Sequence, residues 1–179
     1  MYHELTIPKL EFYDSKAKEF YYTEPTTLIL VHSLSSISEW EAKYHKPFLT
    51  KDAKSIRETV DYIRFMTTNP VEPLVYSGIT NEMVSEVEAY IQDPMTATWF
   101  SEQKPTRINR QVITSELVYY WMTVFGIPFE CDKWHFNRLM TLIRVCSEKN
   151  SPRKMGKKEQ AKSNMALNAA RRKARNSRG

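Results

Sequence analysis

The stretch TTLILVHSLSSISEWEAKY, residues 26–44, contains the change in hydrophobic pattern that decides the fold. Its first seven residues, TTLILVH, are the most apolar strand candidate in the chain and are rich in β-branched side chains, which predicts a strand over residues 26–32. From Ser36 onwards the apolar residues instead recur near helical spacing, and Glu39 completes a capping-box pattern with that serine. The sequence therefore predicts a strand that leads directly into a helix.

Strand signals also dominate the chain before this stretch. Apolar residues alternate roughly over residues 5–12, and the aromatic segment KEFYYT occupies residues 18–23. A turn is predicted at residues 14–16 between them, and Pro8 weakens strand pairing nearby. We therefore expect residues 1–32 to form an antiparallel meander of about three strands.

Helical signals dominate the chain after it, over residues 36–148. The predicted helix starts are Ser36, Ser55, Thr80 or Asn81, Thr114 or Ser115, and Asp132. Gly126 and Pro128 follow one another in the order expected after a helix, so residues 114–148 are predicted to form a helical hairpin. The predicted fold class is α+β, with a β-meander, a mainly helical region of about five helices, and a basic C-terminal tail.

The charge of the chain is divided sharply at residue 148. Residues 149–179 contain 11 Lys and Arg and one acid, whereas residues 1–148 contain 15 basic and 20 acidic residues. The tail has too little apolar surface to fold on its own. We expect a single domain over residues 1–148, and a tail over 149–179 that is disordered or becomes helical on binding.

The cationic residues of the tail are the candidates for contacts with a charged partner. They are Arg153, Lys154, Lys157, Lys158, Arg171, Arg172, Lys173, Arg175 and Arg178. Each phosphate that they neutralised would add close to one unit to the log–log dependence of binding on salt. The tail has no aromatic residue for base stacking. A nucleic acid, an acidic protein surface and the absence of a defined partner all stay open as interpretations.

Aromatic residues around the predicted hairpin form a second candidate surface, for binding another protein. They are Tyr119, Tyr120, Trp121, Phe125, Phe129 and Trp134. A helix that is apolar most of the way round is either deeply buried or paired with another chain. Since a central helix is hard to cover in a domain of this size, we favour an intermolecular contact over a purely internal core.

No sequence motif indicates catalysis, cofactor binding or metal binding. The four glycines are too few for a phosphate-binding loop. Cys131 and His135 are one helical turn apart, but two further zinc ligands are lacking, so we expect a packed thiol and a partly exposed imidazole. His32 and His45 are expected on the surface or as caps. We expect no enzymatic activity, no catalytic residue, no cofactor and no metal.

The chain also lacks an apolar run long enough for a signal peptide or a membrane span. We therefore expect a soluble protein of a reducing compartment, with Cys131 and Cys146 as core thiols rather than a disulfide.

Five segments of the chain resemble a set of short proteins encoded in the tail-gene modules of long-tailed bacteriophages and prophages. The segments are HSLSSISEWEAKYHKPFL (32–49), TVDYIRFMT (59–67), DPMTATWF (93–100), ELVYYWMTVFGIPFECDKWHFNRLMTLIRVC (116–146) and ALNAARRKARNSRG (166–179). The combination of PFECDKWHFNRL with the basic ending AARRKARN is the most distinctive part. Proteins of this set are often described as tail assembly chaperones.

The resemblance implies a non-enzymatic protein of the host cell cytoplasm that binds a phage tail protein, either the tape-measure protein or a tail-tube subunit. It would keep the long helical tape-measure protein soluble until the tail tube polymerises around it. Because that class is mostly helical and residues 1–32 are predicted to be β, a structural protein of the tail or neck, present in the virion, is an alternative. Nucleic-acid binding by the tail is a second alternative, and self-association is a further expectation.

Overall fold

The computed structural model describes residues 2–16, 18–100, 111–150 and 157–174. Within them the chain forms four strands, six α-helices and two short 3-10 helices, and the predicted α+β class is confirmed. The strands are β1 (His3–Ile7), β2 (Leu10–Asp14), β3 (Glu19–Thr23) and β4 (Thr26–Leu30). The helices are α1 (Leu34–Tyr44), α2 (Ile56–Met66), α3 (Asn81–Gln92), α4 (Ser115–Phe125), α5 (Phe136–Asn150) and α6 (Lys157–Ala174), with 3-10 helices at Pro73–Gly78 and Phe129–Lys133. Contacts divide the chain into two units, residues 1–146 and 147–179.

The four strands form one long interrupted hairpin instead of the predicted meander. β1 pairs with β4 and β2 pairs with β3, all antiparallel. Ile7 faces Thr26 and Leu10 faces Thr23, so both ladders share one register and Pro8 falls opposite Pro25. Proline has no N–H to donate, which explains why the ladder stops there and the expected first strand is split in two.

The base of this hairpin lies in the hydrophobic core, whereas its tip does not. Leu5, Ile7, Leu28 and Leu30 are at most 2% exposed and belong to one buried cluster with side chains of α1 to α5. The outer edge of β4 is covered by the chain after α2, where Thr68 N donates to the Ile29 carbonyl at 2.9 Å. β4 therefore lies between β1 and the chain segment that follows α2.

The helix boundaries follow the predicted capping signals at three of five sites. Ser55 caps α2 in a box with Glu58, Thr80 caps α3, and Thr114 occupies the N-cap of α4. α1 begins earlier than predicted, because Ser33 and not Ser36 is its N-cap. α5 begins later than Asp132, since residues 129–133 form a 3-10 helix first.

α1 packs against two other α-helices of its own unit. Both α2 and α4 pack on α1, so α4 has its main partner there and not in a tight hairpin with α5. The carboxylate of Glu41 on α1 accepts hydrogen bonds from Phe48 N and Ser115 N, each at 2.7 Å, and so fixes the first turn of α4. Among the described residues, no helix is long and apolar enough to cross a membrane.

Candidate protein-binding surface

Helix α4 buries one side and exposes apolar side chains on the other. Val118 and Met122 are completely buried, whereas Tyr120 is 62% exposed and Val124 57% exposed. Tyr120 and Val124 are four residues apart and are therefore neighbours on the helix surface. The helix ends at Gly126, whose φ of 64° suits glycine and whose N–H bonds to carbonyls of the last turn. The apolar pair thus lies on a helix that is anchored at both ends.

Phe129, in the 3-10 helix that follows α4, is a further exposed aromatic residue and contacts that helix through Tyr119. Its side chain is 59% exposed, and its ring centroid lies 6.2 Å from that of Tyr119. The Tyr119 hydroxyl donates to Asp132 at 3.3 Å, and burial together with this carboxylate raises the pKa of Tyr119 to about 12. We call Tyr120, Val124 and Phe129 the α4 surface.

The other aromatic residues predicted for this surface are only partly accessible. Tyr119, Trp121, Phe125 and Trp134 are half-buried and pack against the core. The Arg138 guanidinium lies 4.4 Å from the Trp134 ring centroid, which covers that ring further. Of the six predicted residues, Tyr120 and Phe129 are therefore the ones with most of their surface available to a partner.

A second exposed aromatic surface lies on the β2–β3 tip and was not predicted as a site. Tyr13, Phe20, Tyr21 and Tyr22 are between 45% and 59% exposed. We call these four residues together with Phe12 the ribbon surface. The sequence contains a signal for this surface, because the run FYY places aromatic rings on both faces of one strand. Unless other elements cover both faces, aromatic rings remain exposed to solvent.

The rings of the ribbon surface are arranged as cross-strand pairs. Phe12 faces Tyr21 with centroids 5.4 Å apart, and Tyr13 faces Phe20 at 4.9 Å. The Tyr22 hydroxyl donates to Glu11 at 3.0 Å, and this bond raises the pKa of Tyr22. Such pairs stabilise a two-stranded ladder, so the exposed rings keep contacts with the neighbouring strand.

His32, just before α1, and His135, just before α5, both lie in the core. The prediction of a surface or capping role for His32 and of a partly exposed imidazole for His135 is therefore wrong. His32 and His135 are each 2% exposed and their ring centroids are 5.1 Å apart. His32 Nδ1 lies 2.5 Å from the Tyr62 hydroxyl, and His135 Nε2 lies 3.2 Å from the Tyr90 carbonyl. Burial and the neighbouring His135 lower the pKa of His32 to about 3, so His32 is neutral at physiological pH.

This cluster has the geometry of an internal hydrogen-bond network. Ser36 lies 3.4 Å from the Tyr62 hydroxyl and is itself 3% exposed, so these polar groups contact one another inside the protein. His45, by contrast, is the exposed C-cap of α1 at φ 52°, as predicted for a surface or capping residue.

The remaining candidate ligands do not come together. Cys131 is buried in the second 3-10 helix, Cys146 is half-buried on α5, and both are free thiols. Within residues 2–16, 18–100, 111–150 and 157–174, no group of three His, Cys, Asp or Glu could hold a metal ion.

The predicted tail residues fall into two groups. Lys157, Lys158, Arg171, Arg172 and Lys173 lie in helix α6, and the side chains of Arg171 and Arg172 are exposed. Arg153, Lys154, Arg175 and Arg178 lie outside the described residues. The part of the tail predicted to become helical on binding therefore includes an 18-residue helix.

Comparison of the chain with protein-family models, with curated proteins and with solved structures found no match.

Proposed function

We propose that this protein is a non-enzymatic tail assembly chaperone of a bacteriophage, which binds the tape-measure protein and keeps it soluble during tail morphogenesis. The observation that supports the proposal is the α4 surface. Tyr120 and Val124 on α4, and Phe129 on the 3-10 helix that follows it, are each more than half exposed. Together with the resemblance to phage tail-module proteins, an open apolar surface is what a chaperone for a helical client needs.

The geometry of the α4 surface suits a helical partner. An amphipathic helix presents apolar residues at three- and four-residue spacing, which matches the spacing of Tyr120 and Val124 on α4. Aromatic anchors on a rigid support lose little conformational entropy on binding and often dominate interface energies. Val118 and Met122 beneath them are fully buried, and Glu41 holds the first turn, so the anchors are pre-positioned.

The test is co-expression with a phage tape-measure protein, the long helical client that the proposal requires. We expect the wild type to keep that protein in the soluble fraction and to co-purify with it after nuclease treatment in high salt. The variants Tyr120→Asp and Phe129→Asp should lose this effect. Ile56→Asp is the matched control, because Ile56 is an exposed apolar residue on α2, outside both the α4 surface and the ribbon surface. An insoluble partner in the presence of wild-type chain, or equal rescue by all variants, would contradict the proposal.

A structural protein of the tail or neck is the first alternative, and the ribbon surface supports it. Exposed strand edges pair readily with neighbouring subunits in assemblies. This alternative predicts that the chain is present in stoichiometric amount in purified particles, whereas a chaperone should be absent from them.

Nucleic-acid binding through the tail is the second alternative. It is supported by the exposed cationic side chains of Lys162, Arg171 and Arg172 on α6. Such binding would depend on phosphate neutralisation and would therefore weaken steeply as salt is added.

A further inference from the structure

The two halves of the hairpin differ in how their outer edges are covered. On the β4 side, Ile29 N donates to Asn69 Oδ1 at 2.8 Å, and Leu30 forms a bridge with Thr67. Beyond Pro25 the same edge continues as β3 and meets no backbone partner among the described residues. β3 is therefore an open edge that directly continues a covered one.

An open two-stranded ribbon of this kind is marginal by itself. Two strands rarely suffice for stability in water, and three or more strands or a covering layer are usually needed. Natural edges are commonly protected by lysine, proline or a bulge within the strand. β3, with the sequence EFYYT, contains none of these and carries one charge, at Glu19. The tip thus lacks protection against pairing with another strand.

The sequence of β3 is complementary to itself when two copies run antiparallel about Tyr21. In that register Phe20 of one copy faces Tyr22 of the other, and Tyr21 faces Tyr21. Lys18 lies in the turn directly before the strand, at φ 56°, and Glu24 follows the strand directly, so the two charges come to the same end of the paired strands and can form an ion pair that occurs twice by symmetry. We propose that β3 is a dimerisation edge, which pairs with β3 of a second copy of this chain about a two-fold axis at Tyr21.

The existing ring contacts fit this four-stranded arrangement. On one face, the Phe12–Tyr21 pairs of the two copies join into a row of four rings. On the other face, the Tyr13–Phe20 pair of one copy continues into Tyr22 of the second copy. Cross-strand aromatic neighbours of this type are favourable, so pairing would cover the rings that are open in the single chain.

The opposite edge, β2, does not have this property. A two-fold axis at Phe12 would place Leu10 opposite Asp14, an apolar side chain against a carboxylate, and Lys9 opposite Ser15. No pair of opposite charges forms in that register. Of the two edges, β3 is therefore the one that we expect to pair with a second copy of itself.

Charge reversal tests the partner and the register together. The full-length protein is examined by sedimentation velocity over a range of concentrations, and a dimer is expected. Lys18→Glu and Glu24→Lys each place like charges opposite one another and should weaken dimerisation roughly tenfold, on the scale of two exposed ion pairs. The double variant restores opposite charges and should recover the wild-type dimer. Lys18 and Glu24 are exposed, so far-UV circular dichroism should be unchanged.

A cysteine placed at the two-fold axis tests the register of the dimer independently, by disulfide cross-linking. Directly opposite residues of an antiparallel pair lie close enough for a disulfide. Tyr21→Cys should therefore form a covalent dimer with oxidised glutathione, whereas the wild type and Tyr22→Cys, which is off the axis, should not. A monomer at all concentrations would overturn the proposal. A dimer that ignores charge reversal and does not cross-link at position 21 would assign the interface elsewhere and overturn it equally.

Discussion

His32 is neutral inside the core, and this makes the stability of the fold depend on pH. Burial and the neighbouring His135 lower the pKa of His32 to about 3, whereas an unfolded histidine titrates near 6.5. Below that value the unfolded chain binds a proton that the folded chain does not. The free energy of unfolding should therefore fall by about 1 kcal/mol between pH 7 and pH 5.5, with a further contribution from His135, whose pKa is also lowered by burial.

Urea unfolding followed by tryptophan fluorescence at several pH values measures this effect. His32→Asn should flatten the pH dependence while reducing stability at neutral pH, since it removes a buried ring. His45→Asn is the control, because His45 is exposed in a left-handed cap conformation that asparagine tolerates. An identical pH slope in His32→Asn and the wild type would show that His32 is not the responsible group.

Glu41 joins three parts of the chain through one buried carboxylate. Its two oxygens accept from the backbone N–H groups of Phe48 and Ser115. Glu41→Gln keeps the shape but leaves one of these buried donors facing an amide NH₂, which should reduce the free energy of unfolding by about 1–3 kcal/mol. Chemical denaturation checks the value. Glu39→Gln, an exposed change on the same helix, should lie within about 0.5 kcal/mol of the wild type.

At the scale of elements, the joint between the hairpin tip and the body depends on Gly78. A Cβ atom there would lie 2.7 Å from Leu10 Cδ2 and 2.8 Å from Ile7 Cγ2. Gly78→Ala should therefore destabilise the protein by about 1–3 kcal/mol through overpacking. In a double-mutant cycle, Leu10→Ala should relieve part of that cost, because Leu10 is the half-exposed neighbour. Strictly additive effects would contradict this account of the joint.

Sequence reasoning succeeded for elements that are specified locally. The Ser55–Glu58 box, the Thr80 cap and the Gly126 stop are set by residues within one helical turn, so their patterns could be recognised. Strand pairing is not local, and nothing near Pro8 indicates that Pro25 will lie opposite it. The same holds for His32, whose burial depends on Tyr62 and His135 from distant helices.

The candidate site shows the same division between local and distant information. The aromatic segment 119–121 was recognisable, but its exposure was not, because the residue types do not tell which side of α4 meets α1. Periodicity alone also did not predict that Tyr120 would be exposed and Trp121 half-buried. Which aromatic residues remain open is a property of the packing of the whole unit.

At the scale of the whole molecule, a truncation can distinguish nucleic-acid binding by the tail from protein binding by the α4 surface. Removal of residues 149–179 changes the formal net charge from +5 to about −5. Binding to duplex DNA, if it occurs, should then disappear, and for the full chain the logarithm of the binding constant should fall with the logarithm of salt by about 0.9 per phosphate contact. Fluorescence anisotropy measures both. Unchanged DNA binding by the 1–148 fragment would show that the tail is not the DNA-binding element. If the fragment still binds the helical protein, the binding site lies outside the tail, as expected for the α4 surface.

The facing prolines at the middle of the hairpin divide it into units that can open separately. Neither Pro8 nor Pro25 can donate to the ladder, so the tip is joined to the base by side-chain packing and chain connectivity alone. At concentrations where the chain is monomeric, backbone amides of residues 20–22 should therefore exchange with solvent through local opening, far faster than those of Leu28 and Ile29, whose exchange approaches the global unfolding limit. Hydrogen-exchange mass spectrometry would show the aromatic tip as a separate, low-stability cooperative unit, which carries the exposed rings of Tyr13, Phe20, Tyr21 and Tyr22.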